Sequence, residues 1–149
     1  MKIVLASDHA GFELKEYIKG IIEKEGHSFV DVGTHTEESV DYSDFGFKAA
    51  EFVSNGKSDR GILICGTGMG MNIVANKVKG VRAALVQDLY TAIQSRKHID
   101  ANVLVLGARV IGKGMAEEIV KTWMETAFEA GRHARRVEKI KEWEENHLK

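Results

Sequence analysis

Five short apolar runs, "KIVLAS", "HSFVDVG", "GILICG", "VRAALV" and "NVLVLGARV", are separated by longer stretches in which apolar residues recur at helical spacing. No other feature constrains the fold as strongly. The runs are dominated by Ile, Val, Leu and Ala without polar alternation, as expected of strands covered on both faces. Strand and helix patterns in strict succession predict an α/β fold with about five parallel strands. Over 11–26, Leu14, Tyr17, Ile18, Ile21 and Ile22 keep a helical spacing and Gly26 supplies a stop. Further helices are expected over 43–56, 69–77, 88–98 and 113–131, with Gly131 ending the last of these. An extra C-terminal helix over 132–147 carries only a narrow stripe, Val137, Ile140 and Trp143, which suits its own domain or a second subunit equally well. The 149 residues suffice for one domain, 1–149, with no linker or internal repeat.

Charge and cysteine content narrow the function. Lys plus Arg number 21 against 22 Asp plus Glu, a balance that draws the chain toward neither nucleic acid nor an anionic membrane. A small-molecule partner is expected instead. The single cysteine forms no internal disulfide, and Asp8 and His9 interrupt the first apolar run before it reaches signal-peptide length. A cytoplasmic location is therefore expected, and no run is long enough to span a bilayer.

In an open parallel sheet, ligands collect beyond the carboxyl ends of the strands. The first strand leads into Ser7, Asp8 and His9, and the third into "CGTGMGMN" at 65–72. The segment before the fifth strand offers Arg96, His98 and Asp100, and that strand is expected to run on to Arg109. All these groups are expected to share one edge. The glycine loop is not a dinucleotide fingerprint, since Met71 stands where the third glycine belongs. "GARVIGKG" at 107–114 mimics a nucleotide loop but ends in Gly114 instead of Ser or Thr. What remains is a strand, a run of backbone N–H groups and a helix start, an arrangement that holds a negative oxygen. Cys65 sits where the helix end favours a thiolate, although a lone cysteine closing an apolar strand also reads as plain core. His9 and His98 can move protons near neutral pH. No His, Cys or carboxylate grouping has zinc spacing, so no metal is expected. In "GRHARR" at 131–136, Arg132 and Arg136 project on one helical face, a fork suited to phosphate or else a solvated turn neutralised by Glu129 and Glu138.

Taken together, "ASDHAGFELK", "VDYSDFG", "GILICGTGMGMNIVANK", "ANVLVLGARVIG" and "GRHARRVEKI" resemble the type B ribose-5-phosphate isomerase family, which also includes galactose-6-phosphate isomerase subunits. The resemblance covers essentially the whole chain. It implies interconversion of ribose 5-phosphate and ribulose 5-phosphate in the non-oxidative branch of pentose phosphate metabolism, without metal or organic cofactor. It also implies a Rossmann-like three-layer α/β/α sandwich with a five-stranded parallel sheet, and a homodimer or dimer of dimers with active sites between subunits. By resemblance Cys65 is the base, and Gly66, Thr67, Gly68, Met69 and Gly70 supply the oxyanion contacts. His98, with Thr67 and Asp8, opens the sugar ring. His9, Arg132 and Arg136 grip the phosphate, and Arg109 and Tyr42 line the sugar. The chain departs from its relatives at Ile99, where they commonly have Asn, and at Ser43, where they often have Pro and where the loop carrying Tyr42 is expected to loosen. Two other readings stand beside this one: a hexose 6-phosphate isomerase acting on allose or galactose 6-phosphate, and a non-catalytic phosphate-binding module.

Overall fold

The computed structural model describes residues 1–149. The strands are β1 (Lys2–Ser7), β2 (Ser28–Asp31), β3 (Arg60–Cys65), β4 (Ala83–Leu85) and β5 (Val103–Gly107). The helices are α1 (Phe12–Lys24), α2 (Tyr42–Ser54), α3 (Met69–Asn76), α4 (Leu89–Lys97), α5 (Lys113–Glu125) and α6 (Arg132–His147). All strand pairings are parallel, in the order β2-β1-β3-β5-β4.

Strand periodicity splits the core into two layers. Ile3, Leu5, Ile62, Ile64, Leu104 and Leu106 face one side, against Ile18 and Ile22 of α1, Ala92 of α4 and Ile119, Val120 and Trp123 of α5. Val4, Ala6, Leu63, Cys65, Val103 and Val105 face the other, against Ala49 and Ala50 of α2 and Met71 and Ala75 of α3. The expected three-layer sandwich is therefore the fold. From β1 the chain steps to β2 on one side, whereas from β3 it crosses to β4 on the other. The strand order reverses between β1 and β3, and a crevice opens above their carboxyl ends at such a point.

Three boundaries differ from expectation. β5 stops at Gly107, and residues 108–110 form a turn held by Ala108 N donating to the Cys65 carbonyl and Arg109 N to the Gly66 carbonyl, each at 2.9 Å. α5 ends at Glu125 because two guanidiniums, one half-buried and one buried, take its last carbonyls. Arg60 donates to Trp123 O and Met124 O at 3.1 and 3.3 Å, and Arg96 Nε to Thr126 O at 3.2 Å. Cations at a helix C-terminus are favoured by its dipole. Burial, followed by the charge of Arg96, pushes Arg60 down to about 10, which leaves it charged at neutral pH. Gly131 is not a stop. It adopts φ +56° and begins α6, after a connection with no regular structure. Tyr42 likewise belongs to the first turn of α2, behind the N-cap Asp41 and one residue ahead of the expected start at Ser43, and not to a loop.

Along α6, Val137 is buried while Ile140 and Trp143 are exposed and line one groove with Ile99. The stripe is thus only partly used within the chain. No helix is long and apolar enough to cross a membrane.

Candidate active site

The crevice between β1 and β3 is built by close backbone approach. Asp8 N donates to the Ile64 carbonyl at 3.2 Å, and Asp8 Oδ1 accepts from Gly11 N at 3.0 Å, which ties the loop after β1 to the end of β3. Asp8 is buried, and so is Ser7, whose Oγ has no hydrogen-bond partner. Cys65 is only 4 % exposed, at the end of β3. Beyond it, Gly68 turns the chain into α3 with φ +82°, a left-handed conformation that L side chains rarely adopt. This turn leaves the amides of Gly66, Thr67, Gly68, Gly70 and Met71 without an acceptor in the chain, while Met69 N donates to Thr67 Oγ1 at 3.3 Å. The N-terminus of α3 has no side-chain cap. Free donors and a positive dipole end therefore converge beside the cysteine, an arrangement that favours an anion.

Other expected residues line this crevice. The Tyr42 ring lies so close to Gly70 that a methyl group there would stand 2.6 Å from it. His9 Nδ1 accepts from Val40 N at 3.2 Å, which joins the loop before α2 to the loop after β1. Arg109 is exposed beside Gly66, whose missing Cβ would lie 3.3 Å from the Arg109 guanidinium. Asp8, His9, Tyr42, Cys65, the 66–70 loop and Arg109 thus gather at one edge.

His98, Arg132 and Arg136 do not join them. α4 runs back across the sheet after β4, so His98 at its C-terminal end stands at the opposite edge, just before β5 begins. The five residues of β5 separate the edges by roughly 16 Å. A single shared edge is therefore wrong, because a helix between parallel strands returns the chain to where strands start. There His98 stacks on His133 of α6, with ring centroids 4.1 Å apart and planes 12° from parallel. Burial, then the neighbouring His98 and Arg132, push the His133 imidazole below the usual histidine range, with Arg136 adding to the effect and Glu129 opposing it. Arg132, Arg135 and Arg136 are exposed and make no ion pair, so Glu129 and Glu138 do not neutralise them. Arg96 and Asp100 are structural. Arg96 is buried, pairs with Asp100 at 2.8 Å and donates to the Ala101 carbonyl at 2.6 Å.

The family model for Ribose/Galactose Isomerase matches residues 3–140. The chain belongs to this family. A solved structure of Clostridium thermocellum ribose-5-phosphate isomerase B superposes with TM-score 0.96 at 53% identity, covering 99% of both chains. Ribose-5-phosphate isomerase B of Escherichia coli is 44% identical over 93% of this chain and 93% of its own. D-erythrulose-4-phosphate isomerase of Pectobacterium atrosepticum is 43% identical over 94% of this chain and 93% of its own. This member of the ribose/galactose isomerase family is an isomerase.

Three features of the family member escaped the sequence reading. His133 sits inside "GRHARR", where the arginines drew the eye, and its stacking on His98 joins distant segments. Glu129 lies in what reads as continuous helix, yet its amide donates to Lys97 O at 3.2 Å and places it beside His98. The free Met71 amide extends the donor row one residue beyond Gly70.

Proposed function

We propose that this isomerase interconverts ribose 5-phosphate and ribulose 5-phosphate through an enediolate, in a site assembled from two copies of the chain. One copy supplies the crevice edge and the other supplies His98, Arg132 and Arg136. The observation that carries the reading is Cys65 ending β3 immediately before the free amides of the 66–71 loop, at the point where strand order reverses. His98 of the second copy, assisted by Thr67 and Asp8 of the first, moves the proton that opens the furanose. The Cys65 thiolate then takes the proton from C2 of the open aldose. Charge develops on the carbonyl oxygen, where preorganised N–H donors stabilise it without having to reorient. Returning the proton at C1, with transfer of the O2 hydroxyl proton to O1, completes the ketose, so no atom is gained or lost. His9 from one copy and Arg132 and Arg136 from the other hold the phosphate, the two guanidiniums being unpaired and thus available for bidentate contacts. Arg109 and Tyr42 line the sugar.

A second reading concerns sugar length. The similarity to a D-erythrulose-4-phosphate isomerase, at nearly the same identity as to the pentose enzyme, supports the same proton chemistry on another chain length. Proton NMR of ribose 5-phosphate in D2O, with protein and a metal chelator, tests both. Ribulose 5-phosphate carrying deuterium at C1 is the expected result. Reaction of only a tetrose or hexose phosphate, such as allose or galactose 6-phosphate, would keep the mechanism and change the substrate. No reaction of any sugar phosphate would reduce the crevice to a binding site.

A further inference from the structure

We propose that His98, Glu129 and His133 form a binding site for one divalent transition-metal ion of the zinc type, and that filling it silences His98. The nearest donor atoms of the three side chains all lie within 4.8 Å of one another. They come from three segments: the C-cap of α4, the connection after α5 and the first turn of α6. Backbone contacts fix the grouping, since Glu129 N is bound to Lys97 O at 3.2 Å and His133 N to Ala130 O at 3.0 Å. The two imidazoles stack nearly parallel, so their in-plane lone pairs run side by side, and rotation of one ring about its Cβ–Cγ bond turns both nitrogens toward one ion.

Backbone strain is concentrated at the same place. Asp100 (φ 48°) and Ala130 (φ 59°) are the two residues other than glycine with positive φ. One follows His98 by two positions and the other follows Glu129 directly. Such conformations persist only where the surroundings impose them. Here they shape the two connections that bring the donors together.

Donor chemistry selects the ion. Two imidazoles and one carboxylate match a three-ligand zinc set whose fourth position stays open to water. Calcium and magnesium prefer all-oxygen shells and are disfavoured, whereas nickel, cobalt, copper and zinc suit nitrogen donors. Glu129 is exposed and free to swing inward. Arg132 and Arg136 carry like charge nearby, so the ion is a reversible ligand and not a structural one. Once bound, it occupies the imidazole lone pair with which His98 would accept a proton. This inhibitory consequence rests on the isomerase reading above, whereas binding itself does not.

Cobalt(II), titrated into chelator-treated protein and followed by visible absorption, tests the site, with zinc added afterwards to displace it. The expected result is one equivalent per chain, with no near-ultraviolet band of a thiolate ligand and no change in Cys65→Ala. Affinity should fall at least tenfold in His133→Ala and in Glu129→Gln; the latter residue is exposed, so its replacement leaves folding intact. Zinc should inhibit turnover, with an inhibition constant at least tenfold weaker in Glu129→Gln. Loss of the spectrum in Cys65→Ala, or unchanged affinity in Glu129→Gln, would overturn the site. Cobalt binding without any sugar-phosphate turnover would sink the isomerase reading and leave the metal site standing. Turnover without cobalt binding would do the reverse.

Discussion

A fully buried ammonium group must be paired, since an isolated charge in the interior is expensive. Lys15 donates to both Asp31 carboxylate oxygens at 2.7 Å and to the Thr34 carbonyl at 2.6 Å. Thr34 N in turn donates to the Ser7 carbonyl at 2.8 Å, so the pair braces the residue before Asp8. Burial alone would raise the Asp31 carboxyl, yet hydrogen bonds from Lys15, Lys19 and Gly33 N outweigh it and hold the group below its ordinary range. With the folded value depressed, this stabilisation is complete above the unfolded value of about 3.9 and drains away as pH falls through the folded one. Asp31→Asn should lose about 3–5 kcal/mol at pH 7 by stranding Lys15, and its urea midpoint should fall less steeply with acid than that of the wild type. Cys65 is the second residue with a sharp expectation. Cys65→Ala should still bind sugar phosphate, but steady-state kinetics should show kcat lower by about 10²–10⁴, the usual range for a lost proton-transfer group, with KM little changed. A near-normal kcat would remove Cys65 from the chemistry. That residue was legible from its place between an apolar run and glycines, whereas Lys15 was not, because nothing local distinguishes a buried lysine from a solvated one.

At the scale of elements, α3 depends on its entry. Gly68 is left-handed, and a methyl group there would run into the Leu85 side chain and lie 3.2 Å from the Leu106 carbonyl carbon. Gly68→Ala should therefore destabilise the protein by at least about 1–2 kcal/mol from the backbone term alone. It should also lower kcat by redirecting the free amides, measurable together by thermal unfolding and kinetics. Most elements were readable from periodicity, and all five strands lie where the apolar runs fall. The end of α5 was not. The helical pattern continues past Glu125 in sequence, and what stops it is the pair Arg60 and Arg96, brought from other elements to its carbonyls. The grouping of His98, Glu129 and His133 was hidden for the same reason, since its members meet only after α4, α5 and α6 have packed.

At the scale of the molecule, the candidate catalytic groups are divided between the two ends of the sheet. If two copies complete each other, Cys65→Ala and His98→Gln should each be inactive alone. Co-expressed, they should recover about a quarter of wild-type activity, because half of randomly formed dimers are mixed and each mixed dimer has one intact site out of two. Absence of recovery in verified mixed dimers would place the whole site within one chain. The sequence carried every one of these groups, but not their division, because assigning side chains to an edge needs the direction in which each helix crosses the sheet.

The placing of Cys65 and His98 at opposite ends of the sheet, a strand length of roughly 16 Å apart along β5, also has a kinetic meaning. Under the proposed two-copy site, a lone chain has no complete reaction centre, so dilution would act as an inhibitor. Below the dissociation constant of the pair, velocity should rise with the square of protein concentration instead of in proportion to it, and the amount of protein a cell makes would set not only how much catalyst it has but whether each molecule is one.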